Sequence, residues 1–110
     1  LSQGQGLILG ALARERRIAR ETALVTTLGD MTGLDAIETR IRARLVKAAA
    51  SEPLAWAADQ IGMAEIMLAR HRLGGVVPTD LGLILGEAAM TAREMGVDAL
   101  ADRAEALLRS

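Results

Sequence analysis

The sequence predicts an all-α protein, an antiparallel helical bundle of four main helices plus a short C-terminal fifth helix. Three observations lead there. Apolar residues recur at spacings of three and four through five stretches. Helix breakers separate the stretches, at Gly29, Pro53, Gly74-Gly75 with Pro78, and Gly96. The 51% hydrophobic content is Ala, Leu, Ile, Val and Met with Trp56 as the sole aromatic residue, a set that packs helix on helix more readily than it builds a sheet.

Taken in order, residues 1–6 form a polar, Gly-containing flexible lead-in to a single domain spanning residues 1–110. The first helix runs from Leu7 to Leu28 with Leu7, Ala11, Ile18 and Val25 on its inner stripe, and Gly29-Asp30 stops it. A second starts at Asp30 or Thr32 and reaches Ala50, turning Leu34, Ile37, Ile41 and Leu45 inward. The third occupies Ser51 to Gly75. Ser51 is placed to cap it, and Pro53 fits a first turn whose N–H groups lack helical partners. The fourth starts at Thr79 or Asp80 and ends at Met95, with Leu81, Ile84, Leu85, Ala88, Ala92 and Met95 on its core face. A short fifth from Asp98 to Arg109 buries Leu100, Ala104 and Leu107. Short connections favour antiparallel neighbours.

The third helix is the expected centre. Leu54, Ile61 and Leu68 form one apolar strip, Ala55, Gly62, Ile66 and Leu73 a second, and Trp56, Met63 and Met67 a third. A helix apolar nearly all round is either buried from several directions or gives one strip to another chain.

Little in the chain points to chemistry. There is no cysteine, so disulfides and thiolate metal sites are excluded. His71 is the only imidazole, no Ser or Thr sits in a nucleophile motif, and the carboxylates at Glu87 and Glu94 or at Asp98, Asp102 and Glu105 read as solvated faces. No catalytic residue, metal or cofactor is expected. Gly6 and Gly10, like Gly82 and Gly86, lie four apart in a GLILG run, where small residues are expected to let helices close-pack inside the bundle. The segment from Leu85 to Leu108 resembles the closing helical hairpin of tetratricopeptide arrays in its small residues and its Gly between Ala-rich helices. The chain lacks that family's repeat period and aromatic spacing, so no family is assigned.

No apolar run approaches a membrane span and no signal-peptide pattern opens the chain, so a soluble, cytoplasmic protein is expected. The excess of Ala, and of Arg over Lys, points to a bacterial source. The chain begins at Leu1 rather than Met, which leaves room for a segment upstream.

The leading expectation is a non-catalytic interaction module that forms a homodimer or other homo-oligomer, or docks on a protein partner, through Trp56, Met63 and Met67. The alternative is an effector-sensing domain that binds a small apolar ligand beside Trp56 and Met67, with Gln60 or His71 supplying a polar contact. Nucleic-acid binding would use Arg14, Arg17, Arg40, Arg44 and Lys47 in the first two helices. A net charge of −1 and the lack of stacking aromatics among the arginines weigh against it.

Overall fold

The computed structural model describes residues 3–48 and 52–110. They form five helices: α1 (Gln3–Thr27), α2 (Met31–Ala48), α3 (Pro53–Arg72), α4 (Leu81–Glu94) and α5 (Asp98–Leu108). No strand occurs among the described residues, and the fold is the expected helical bundle.

Three helices end by the same device. Gly29, Gly74 and Gly96 have φ of +66°, +100° and +77°, a region open to Gly because it has no Cβ. The amide one residue further on then reaches back five residues: Asp30 N–H to the Val25 carbonyl, Gly75 N–H to Arg70 and Val97 N–H to Ala92, at 3.1, 2.8 and 2.8 Å. Asp30 also accepts the Gly33 amide at 2.9 Å and so caps α2, deciding between the two predicted starts. Pro53 opens α3 as expected, behind Glu52, whereas the predicted cap Ser51 lies outside the described residues. Asp80 stands at the start of α4 but makes no side-chain cap bond. The lead-in is shorter than predicted, since α1 already begins at Gln3.

Helix α3 touches all four others. Its strip of Leu54, Ile61 and Leu68, with Ala57, Ala58 and Ala64, faces Leu85, Ala88 and Ala92 of α4 and Leu100, Ala104 and Leu107 of α5, with Ala11 of α1 completing the cluster. On the opposite side Met63, Ile66 and Ala69 pack with Ile18 of α1 and with Leu34, Ile37 and Ile41 of α2. Removing each large aliphatic side chain from water contributes roughly 1.5–3 kcal/mol. The two clusters share only α1 and α3.

Close approach happens at Gly62, not at the two GLILG pairs. A Cβ on Gly62 would lie 2.8 and 2.9 Å from Ile18 Cδ1 and Cγ2, so α1 and α3 meet there almost backbone to side chain. Gly6, Gly10 and Gly86 have nothing within 4 Å of that position, and Gly82 only Leu108 at 3.9 Å. The predicted tight packing at those pairs is therefore corrected: three of the four are bare and Gly82 makes only an ordinary contact. Leu7 and Met95, both assigned to the core from the sequence, are 51% and 47% exposed.

Candidate binding groove

Bare glycines at the start of α1 leave a groove of about 370 Å³ between that helix and the start of α3. Gly6, Leu7, Gly10 and Ala11 form one wall, Glu52, Pro53, Leu54 and Ala55 the other, and Met95, just past α4, also lines it. Glycine adds no side chain on the α1 wall, and Pro53 opens α3 on the other. Farther along α1 the wall becomes charged, at Arg14 and Arg17.

Those two arginines also border a second hollow of about 200 Å³ between α1 and α2, with Glu21, Arg40 and Arg44 around it and Ile18, Ile37 and Ile41 as its apolar lining. Beside it lies Asp59, whose side chain is fully buried in α3. Arg44 of α2 holds one Asp59 oxygen through Nη2 at 3.2 Å and the other through Nε at 3.4 Å, while Arg14 Nη1 stands 3.5 Å from the second. Arg40 pairs with Glu21 across α1 and α2. Arg17 is exposed, and no ion pair is found for it among the described residues.

Two further ionic groups fix α3 against its neighbours. Arg103 of α5 bridges Glu15 of α1, at 3.0 Å, and Glu65 of α3. Burial pushes the Glu65 carboxyl above its ordinary value, and the neighbouring Glu15 adds to this against the pull of Arg103. Arg70 of α3 reaches Asp35 of α2 at 2.5 Å and also Glu38, which Arg42 holds from the other side at 2.6 Å. Burial alone would raise Glu38; hydrogen bonds from Arg42 and Arg70 reverse this and hold it low. These contacts register the helices against one another.

The residues singled out from the sequence fall in different places. Met63 is 3% exposed and belongs to the cluster with α2, Met67 is half-buried beside that same cluster, and half-buried Trp56 packs against the other one. The strip is thus divided between two cores of the chain's own helices. Trp56, Gln60, Met67 and His71 line neither hollow. His71 is exposed at the end of α3 with Nδ1 3.0 Å from the Gly75 carbonyl, which can only accept, so the ring donates there. Of the five basic residues named for nucleic acid, Arg14, Arg40 and Arg44 are turned to carboxylates, while Arg17 and Lys47 remain exposed.

In the sequence Gly6 and Gly10 stand out by their spacing and Arg14 and Arg17 by their charge, but nothing joins the two pairs. Periodicity turns Leu7 and Met95 inward, although both lie near helix ends. Among the described residues no group of three or more His, Asp or Glu side chains could hold a metal ion, and no helix is long and apolar enough to cross a membrane. No family model, curated protein or solved structure matches the chain.

Proposed function

We propose that this chain is a non-catalytic binding module that takes a small, largely apolar ligand in the groove between α1 and α3. The observation that carries the reading is the groove itself: about 370 Å³ of open space with mostly apolar walls, bare glycines on one side and guanidinium groups at one end. A concave apolar surface with a few convergent polar groups is the usual form of a small-molecule site, and this volume falls in the usual range. Gly10→Leu tests it, because Gly10 lines the groove and a Cβ added there meets nothing within 4 Å, so the substitution adds bulk at the wall. Titration with an apolar fluorophore should show binding to the native chain and its loss in Gly10→Leu. The substitution should also stabilise the folded state by about 0.5–1 kcal/mol, since a helical Gly in open space is replaced. Equal fluorophore binding by both chains would reject the groove.

Self-association is a second reading, favoured by a different surface. Leu83 and Met90, two turns apart on α4, are 65% and 63% exposed, so two large apolar side chains outside the predicted Trp56, Met63 and Met67 strip, on a face shared with Glu87 and Glu94, are open to a second copy. Light scattering over a concentration series, repeated with Leu83→Glu plus Met90→Glu, tests it. A native mass that stays monomeric throughout would reject this reading.

A further inference from the structure

Resting on the reading of the α1–α3 groove as a ligand site, we propose that its ligand is a monomeric anionic amphiphile. The apolar tail lies in the groove and the carboxylate or phosphate head lies at the α1–α2 hollow, between the guanidinium groups of Arg14 and Arg17. Both arginines border both hollows, so a molecule extending from one to the other must pass them. The two ends differ in chemistry as such a molecule requires: Leu7, Gly10, Leu54 and Met95 with Glu52 on one side, four arginines with Glu21 on the other.

Charge accounting specifies the sign of the head. Around the smaller hollow four guanidinium groups, from Arg14, Arg17, Arg40 and Arg44, are opposed by two carboxylates, Glu21 and the buried Asp59. Two positive charges are left over. Arg17 has no acidic partner among the described residues, and Arg14 is held only at 3.5 Å, longer than a good charge-assisted hydrogen bond. Guanidinium groups present several N–H donors in a plane, a geometry that matches the paired oxygens of a carboxylate or phosphate. A neutral or cationic head would leave the excess uncompensated, and a cation would be repelled. The hollow, at about 200 Å³, admits a single headgroup beside its Ile18, Ile37 and Ile41 lining.

Isothermal titration of the full chain with decanoate and decyl phosphate below their micelle concentrations, decanol below its solubility limit, inorganic phosphate, and phosphatidylglycerol vesicles tests the proposal. Decanoate and decyl phosphate should bind at least roughly tenfold more tightly than decanol. Arg17→Gln should narrow that difference severalfold while leaving thermal stability unchanged, because no ion pair is found for Arg17 among the described residues. Gly10→Leu should abolish binding of all three chain-bearing ligands. Decanol binding as well as decanoate would overturn the anionic head and leave the groove standing; no binding by any chain-bearing probe would overturn both. Phosphate alone binding as tightly as decyl phosphate would overturn the role of the tail. Binding confined to anionic phospholipid vesicles would place the source in a membrane and overturn the monomeric ligand.

Discussion

At Gly62 an added methyl group would sit under 3 Å from two branches of the buried Ile18 side chain, and Ile18 is itself enclosed between α1, α2 and α3. Gly62→Ala therefore forces repacking, which costs about 1–3 kcal/mol, against at most about 1 kcal/mol gained because Ala favours helix over Gly. The same change at Gly10 meets open space and keeps only the gain. Denaturant unfolding should accordingly show Gly62→Ala destabilised by roughly 1 kcal/mol and Gly10→Ala stabilised by about 0.5–1 kcal/mol. Equal shifts of one sign would mean that α1 and α3 do not meet at Gly62. The sequence displays both glycines and even the spacing of Gly6 to Gly10, but a glycine's role depends on whether a neighbour stands opposite it. That neighbour, Ile18, is far away along the chain.

Helix α3 is apolar on most sides, yet Asp59, Glu65 and Arg70 tie it to α1 and α2, to α5, and to α2 respectively. Arg103 is the contact with the largest expected consequence, since its removal leaves Glu15 and Glu65 as neighbouring, nearly buried carboxylates. Arg103→Met should cost roughly 2–3 kcal/mol at neutral pH, less than for a fully buried pair because the arginine is partly exposed. Adding Glu65→Gln should recover part of the loss. The pH dependence has a definite sign. Glu65 is raised in the folded state, so its stabilising effect is complete below the ordinary value of 4.5 and fades as pH rises through the folded value. Glu38 is lowered, so its contribution exists above 4.5 and is lost as pH falls through its folded value. Glu65→Gln should thus remove a loss of stability seen on raising the pH, and Glu38→Gln one seen on lowering it, in unfolding curves recorded across that range. The helices themselves were legible, because Gly29, Gly74, Gly96 and Pro53 act on their own neighbours. Their ionic partners were not: Arg103 lies 88 residues from Glu15 and 38 from Glu65, and no periodicity links such positions.

The whole molecule has two apolar clusters on opposite sides of one helix, and this arrangement decides how it unfolds. The α4–α5 hairpin contributes only to the first cluster and α2 only to the second, while α1 and α3 serve both. If α2 detached, α3 would expose Met63, Ile66 and Ala69; if the hairpin detached, it would expose Leu54, Ile61 and Leu68. Either loss weakens the helix on which the other cluster is built, so the two should melt together, as small single domains usually do. Trp56 packs against the first cluster alone and reports on it by fluorescence, whereas circular dichroism reports on all five helices. Ile41→Ala opens a cavity in the second cluster, at a cost of about 2–5 kcal/mol. In that variant the Trp56 transition should move to lower denaturant by the same amount as the helical signal, although Ile41 is not a member of the Trp56 cluster. A Trp56 midpoint left at the native value would show the α4–α5 side holding together without α2, and the single cooperative unit would have to be divided in two.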